Sequence, residues 1–395
     1  MCFSGDSLVF TDIHFGLRND SVSRLDICVK VIDDIIARIA EEKKSSRNGI
    51  SNIIFCGDWF HVRNAINVNT MNVAMDCLKR LEEAVPGSIV FIVGNHDIFN
   101  KNTTDVNSVN IFRESKKVVI VDHVTEGTLN GQKVLFCPWL SDFSGFKKET
   151  FDHLFGHFDV PDNYIAQTYI DEHNAREKVS KSVENMLDSD PDVGKAAQKN
   201  DGLGDYVELA KMTGIVWSGH IHQHREFKSK GRKFIFIGSP YQQNTGEAGF
   251  ESGFYILDST GGYRFLETRG VPKHVKIRMS DIVLHGVDGY DFSGVKGNIV
   301  RKIYDCEIDR VLDSEISRKI ADNGPYEELN PEYEVSEAYD DSPDKNTIEL
   351  IKKSEIQYIR NYIDTIDKDV LDKEELDPKE LYSVMESYYK KAVGV

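Results

Sequence analysis

The chain has no apolar run approaching the roughly 18 residues needed to span a membrane, and its start, Met1-Cys2-Phe3-Ser4-Gly5-Asp6, lacks the basic residues that open a secretory signal. A protein without membrane partners is expected, in the cytoplasm, or the host cytoplasm if a phage encodes it. No C-x-x-C pair occurs among the six cysteines, so nothing suggests a redox or metal-binding thiol pair. Cys56 and Cys137 sit inside apolar runs, and the cysteines are expected to be reduced and mostly buried. Basic charge is also short. Lys and Arg number 48 against 65 Asp and Glu, for a net charge of −17 and a pI near 5.2. That opposes the basic footprint of a self-sufficient nucleic-acid binder. Residues 275–395 hold 17 basic against 28 acidic residues, and 321–344 carry nine carboxylates with no Lys or Arg. Most of the acidity is therefore C-terminal. If the ligand is a nucleic acid, a partner is expected to supply much of the grip on its phosphates.

The chain does have five short clusters of Asp, Asn and His: Asp12-Ile13-His14, Gly57-Asp58-Trp59-Phe60-His61, Gly94-Asn95-His96-Asp97, Gly156-His157 and Gly219-His220-Ile221-His222. Each follows a short apolar, largely β-branched or aromatic run, the weakest being His153-Leu154-Phe155. In α/β sheets, ligand sites gather at such strand ends. Any one cluster alone is more often a cap or a solvated turn, but five in series point to one constructed site. Four His, two Asp and one Asn are the mixed nitrogen and oxygen donors that two neighbouring divalent cations require. His220 and His222 are two apart, so on an extended segment both rings point the same way. The glycines before Asp58, Asn95, His157 and His220 suit sharp turns and close backbone approach to a phosphate. His153 competes with His157 for the fourth cluster; Gly156 and the preceding run favour His157.

The order D-x-H, GD-x-x-H, GNHD, GH, GH-x-H resembles the calcineurin-like metallophosphoesterases over residues 7–258. Asp12-Ile13-His14-Phe15-Gly16, Leu154-Phe155-Gly156-His157-Phe158, Val216-Trp217-Ser218-Gly219-His220-Ile221-His222 and Gly238-Ser239-Pro240-Tyr241-Gln242 are similar to the nuclease subunit of SbcCD-type repair complexes and its tailed-phage recombination counterpart. The resemblance implies one metal on Asp12, His14 and His222, a second on Asn95, His157 and His220, and Asp58 bridging. Manganese is expected, with magnesium the alternative. It also implies His96 as general acid for the leaving 3′ oxygen, Asp97 orienting or tuning it, and His61 contacting phosphate or steadying His96. The implied activity is DNA exonuclease and endonuclease cleavage in recombination and double-strand-break repair, beside an SbcC-like coiled-coil ATPase.

Apolar periodicity predicts helices over Leu25–Ala40 and around Met71–Leu81, between strands ending at the first three clusters. Runs at 118–121, 134–137, 234–237 and 254–257 suggest a second sheet packed on the first. The expected architecture is a four-layer α/β/β/α sandwich over residues 1–270, with an insertion at 159–205. A small capping domain is expected over 271–320, an acidic linker over 321–345, and C-terminal helices over 346–395. By resemblance those helices dock the ATPase; packing on each other serves the pattern equally, and homodimerisation is left open. The same cage would suit a phosphomonoesterase, phosphoprotein phosphatase or cyclic-nucleotide phosphodiesterase. A non-catalytic DNA-end scaffold is the third class.

Overall fold

The structure is a computed structural model that describes residues 1–45, 49–100, 102–141, 146, 149–158, 213–229, 232–334, 379, 382 and 383. The chain divides into units Met1–Tyr333 and Glu334–Val395, and the description below concerns the first. The 159–205 insertion, and all but three residues of the expected partner-binding region, lie outside the described residues.

After β1 (Cys2–Phe3), which pairs into the second sheet, the first layer alternates strand and helix: β2 (Asp6–Phe10), α1 (Val22–Ser45), β3 (Ile50–Phe55), α2 (Val68–Ala84), β4 (Ile89–Ile92) and β5 (Val118–Val121). Strands β2 to β5 pair in parallel. Leu8, Phe10, Ile53 and Phe55 face the helices, whereas Val9 and Ile54 face a second sheet. Burial on both faces is why these strands read as unbroken apolar runs. Helix α1 buries Leu25, Cys28, Val31, Ile32, Ile35 and Ile39 on one stripe, each large aliphatic contributing about 1.5–3 kcal/mol. Helix α2 starts where the Asn67 side chain accepts from Asn69 N at 2.8 Å.

The second sheet contains β6 (Thr125–Leu129), β7 (Gln132–Cys137), β8 (Phe151–His157), β9 (Thr213–Gly219), β10 (Arg225–Ser229) and β11 (Arg232–Phe236). Its order is β1-β6-β7-β8-β9-β11-β10. Strands β12 (Gly253–Leu257) and β13 (Tyr263–Glu267) return to the first sheet, whose order is β13-β12-β2-β3-β4-β5. The runs at 118–121 and 254–257 therefore belong to the first sheet, not the second as the sequence suggested. Apolar alternation shows that a strand is buried without naming its neighbours. The two inner faces meet through Val9, Ile54, Val90, Phe136, Phe155, Trp217 and Tyr255. On the outer face of the second sheet a further cluster, including Leu135, Leu154, Val216 and Phe236, is buried. That is the face on which the outer helical layer of an α/β/β/α sandwich belongs.

A three-stranded sheet follows: β14 (His274–Arg278), β15 (Ile299–Tyr304) and β16 (Glu327–Tyr333), with α3 (Met279–His285) and α4 (Arg310–Asp322). Ile277, Val300, Ile316 and Ile320 form its own core. The first half of the expected acidic linker is thus structured: residues 321–333 complete α4 and supply β16. Its alternating acids read as solvated, but Leu329 is buried and the strand pairs with β15.

Candidate metal centre

All five clusters arrive at carboxyl ends of parallel strands. Asp12 and His14 follow β2, Asp58 follows β3 and Asn95 follows β4, while His157 ends β8 and His220 and His222 follow β9. The first two loops are zipped together by backbone bonds, Asp12 N to Gly57 O at 2.9 Å and His14 N to Asp58 O at 3.1 Å. Asp12, His14, Asp58 and His220 take left-handed backbone angles, with φ of 52°, 50°, 62° and 77°. Such angles cost on the order of 1–2 kcal/mol each, and here they aim four polar side chains inward. A Cβ on Gly94 would meet Asp58 Oδ1, and one on Gly57 would meet the His157 ring. These glycines let the ligand loops touch one another, a use that differs from the expected close approach to phosphate.

The seven candidate ligands converge. Asp12, His14 and His222 form one group and Asp58, His157 and His220 another, the ligand atoms of each lying within 4.8 Å of one another. Asp58 Oδ2 stands 3.6 Å from His14 Nε2 and 3.3 Å from His157 Nε2, between the groups. Asn95 Oδ1 is 2.9 Å from His157 Nε2 and 3.1 Å from His220 Nδ1. Asp12 Oδ1 and His14 Nε2 are buried without a hydrogen-bond partner. Unpaired acceptors pointing at one another are costly unless a cation lies between them, so the donor set fits two divalent ions. In the bare chain the Asn95 amide is better satisfied turned over, its nitrogen toward Asp58, His157 and His220 and its oxygen accepting from Arg63 Nη2 at 3.2 Å. A bound cation would favour the opposite orientation, with the Asn95 oxygen as its ligand atom.

The electrostatics agree. Burial alone would raise Asp58, but His157, His96 and His14 hold it well below the usual carboxylate range. Asp12 is likewise lowered, burial being outweighed by His14, His157 and His222. Burial lowers His14, and it pushes His220 down to about 3 with help from His157. His157 rises to about 9 because Asp58 overcomes its burial, and His222 to about 9 because Glu247 and Asp12 do the same.

The structure assigns the second rank of residues differently from the sequence. Asp97 does not pair with His96. Its carboxylate accepts from the backbone N–H of Asp58 (2.9 Å), Trp59 (3.0 Å), Phe60 (3.3 Å) and Gly94 (3.0 Å), clamping the loop that carries Asp58. Burial and Asp58 push its pKa up to about 6. His96 is fixed by its own backbone N–H on Asp58 Oδ1 at 2.8 Å and by Nδ1 on the His61 carbonyl at 2.7 Å. His61 stacks on His96, with ring centroids 5.2 Å apart, and its Nδ1 lies 3.4 Å from His14 Nδ1. It steadies both rings; burial, His14 and His96 hold its pKa down at about 3. His153 is spent in the core, accepting from Trp217 Nε1 at 3.2 Å. His224 bonds Tyr255 and stacks on Phe265.

Sequence reasoning assigned no role to four neighbours. Glu247 holds His222 Nδ1 at 2.8 Å, the outer carboxylate that fixes a ligand ring. Gln243 Nε2 donates to the Asp12 carbonyl at 2.7 Å. Both follow the Gly238-Ser239-Pro240-Tyr241-Gln242 run, so proximity to that run was their only signal. Arg63 lies two residues beyond His61, and the Trp139 ring lies 5.1 Å from that of His220.

The sequence profile of the family described as Calcineurin-like phosphoesterase matches residues 7–224, which include every one of these ligands. The chain belongs to that family. This calcineurin-like phosphoesterase is 25% identical over 256 residues to Exonuclease subunit 1 of Enterobacteria phage T4; the match covers 63% of this chain and 63% of the phage protein. Among solved structures, similarity extends to an archaeal phosphodiesterase (12% identity, 66% of this chain and 99% of that one, TM-score 0.30). A phosphopantetheinyl hydrolase from Mycobacterium tuberculosis is also similar (12% identity, 60% and 89%, TM-score 0.31). The family is one of phosphoesterases, and the matched residues contain the groups of His and Asp whose ligand atoms could hold a metal ion. The described residues contain no helix long and apolar enough to cross a membrane.

Proposed function

We propose that the protein is the nuclease subunit of a DNA-processing complex, cleaving phosphodiester bonds at DNA ends beside an SbcC-like ATPase. The observation that carries this reading is the likeness to the phage exonuclease subunit over 256 residues. Asp12, His14 and His222 would hold one divalent ion, and Asn95, His157 and His220 the other, with Asp58 between. When bound, the ions supply Lewis-acid stabilisation of the phosphorane charge and an activated water; manganese suits the mixed donors, magnesium less so.

The chain's own residues do the rest. His96 stands beside His14, centroids 4.8 Å apart, with Nδ1 committed to the His61 carbonyl, so Nε2 is the nitrogen that would meet the leaving oxygen. Protonated at Nε2, it delivers a proton to the departing 3′ oxygen. Arg63, whose Nη2 lies within 3.2 Å of the Asn95 amide, would offer a guanidinium to a non-bridging oxygen. Glu247 keeps the His222 ring in its ligating tautomer.

The test is manganese-dependent cleavage of DNA with defined ends, with and without the co-expressed ATPase, against bis(4-nitrophenyl) phosphate as a small diester. Cleavage of the small ester with no action on any DNA would favour a phosphatase or cyclic-nucleotide reading. Metal-independent function in Asp58→Ala would favour a scaffold. Truncation after residue 340 should spare metal binding and abolish ATPase co-purification.

A further inference from the structure

Register places a group of charges on one face of the small sheet. His274 pairs with Ile299 and Lys276 with Arg301 across β14 and β15, and Ile299 pairs with Glu327 and Arg301 with Leu329 across β15 and β16. Ile299 and Leu329 pack into the same core as α1, so His274, Lys276, Arg301 and Glu327 share the face turned toward the start of that helix. Arg24 lies there, fully buried, with Nη2 3.0 Å from Glu327 Oε2. Its Nε and Nη1 have no hydrogen-bond partner. The same is true of Arg301 Nε and of both ring nitrogens of His274, a residue only 4% exposed.

The charge does not balance. Arg18, Arg24, Lys276 and Arg301 all act on His274 and hold its pKa down at about 3, burial being the larger cause. Glu327 answers Arg24, and Glu332 answers Arg301 at 3.1 Å. The first turn of α1 contains no acidic residue, so a buried guanidinium sits at the positive end of a 24-residue helix, where an anion is favoured and a cation is not. Burying unsatisfied donors of this strength is unfavourable unless an acceptor meets them. In a chain of net charge −17 this is an unusual concentration of positive charge.

We propose that Arg18, Arg24, His274 and Arg301 form a phosphate-binding subsite where α1 meets the small sheet. The guanidinium planes present paired N–H donors to phosphate oxygens, and neutral His274 adds one ring N–H. Arg18 is exposed and only four residues beyond His14, so the segment that carries a candidate metal ligand also supplies the solvent-facing cation of the subsite. A phosphate there belongs either to a nucleic-acid strand that also reaches the metals or to a free phosphate or mononucleotide. Only the strand assignment rests on the nuclease reading.

The test uses the full, metal-loaded chain and three variants: Arg18→Gln, which is at the surface; Arg301→Gln; and Arg24→Met/Glu327→Gln, which removes buried Arg24 together with its half-exposed partner and strands no charge. Inorganic phosphate affinity is measured by calorimetry and the binding of a single-stranded oligonucleotide by anisotropy, with bis(4-nitrophenyl) phosphate turnover as the control for folding and metals. Loss of about tenfold in phosphate affinity, with turnover unchanged, establishes the subsite. A parallel tenfold loss for the oligonucleotide, with a salt dependence shallower by about one, assigns the phosphate to a strand. No oligonucleotide effect assigns it to a free ion or mononucleotide. Wild-type phosphate and oligonucleotide affinity in all three variants overturns the proposal, whether or not the protein cleaves DNA.

Discussion

Asp97 separates two accounts of the GNHD cluster, because removing it should unfasten a loop rather than detune an acid. The carboxylate is 1% exposed and is acceptor to four backbone N–H groups, Oδ1 to Trp59 and Phe60, Oδ2 to Asp58 and Gly94. In Asp97→Ala those donors lose their partner in a dry interior, at about 1 kcal/mol or more each. The expected loss is about 4 kcal/mol, a large share of the roughly 5–15 kcal/mol that holds a domain together. Asp97→Asn keeps one oxygen and turns an amide N–H toward two donors, so about half that loss is expected. Urea unfolding in chelator measures the stability, and calorimetry with Mn2+ measures the metals. Because the clamped loop carries Asp58, metal affinity should fall along with stability. Wild-type stability and metal affinity with reduced turnover would refute the clamp and restore Asp97 as a partner of His96.

Three further outcomes follow from the same geometry. Asn95→Ala should lose metal and activity together, whereas His96→Ala should bind both metals in calorimetry and lose about 10²–10⁴ in turnover; metal loss in His96→Ala would mean the ring is a ligand. Glu247→Gln should weaken metal binding about 10–100-fold at the Asp12–His14–His222 half only, seen as one of two titration steps shifting. His157 and His222 hold protons up to about pH 9 in the bare site, above the ordinary value near 6.5. The protonated rings therefore stabilise the chelator-treated fold fully below pH 6.5, and that contribution is lost as pH rises to 9. Metal affinity should climb over the same window, by about tenfold per pH unit for each proton displaced. Calorimetry in buffers of different ionisation heat counts those protons, and none released would contradict the assignment.

The sequence by itself determined which Asp, Asn and His residues gather, their order and the strand ends that carry them. Asp12, His14, Asp58 and Asn95 follow runs buried on both faces and apolar to their ends, so those ends are visible in one dimension, and the runs before His157, His220 and His222 are shorter versions of the same pattern. It also separated His157, which stands beside Asn95, from His153, which bonds Trp217 in the core, through the Gly156 that leaves no room for a Cβ beside Phe158 and the Cys137 carbonyl. What it could not contain was distance. Asp97 stands next to His96 in sequence, yet its oxygens point to a loop 37 to 39 residues away, because neighbouring side chains on an irregular turn diverge. Glu247 and Arg63 have no local pattern, since a buried ion or hydrogen bond constrains a position in space and not a spacing in the chain. The exchange of β12 into the first sheet and the pairing of acidic β16 depend on neighbours supplied by remote segments. The four cations around His274 come from the loop after β2, the start of α1 and two strands of the small sheet, and only the tertiary structure brings like charges together against their mutual repulsion.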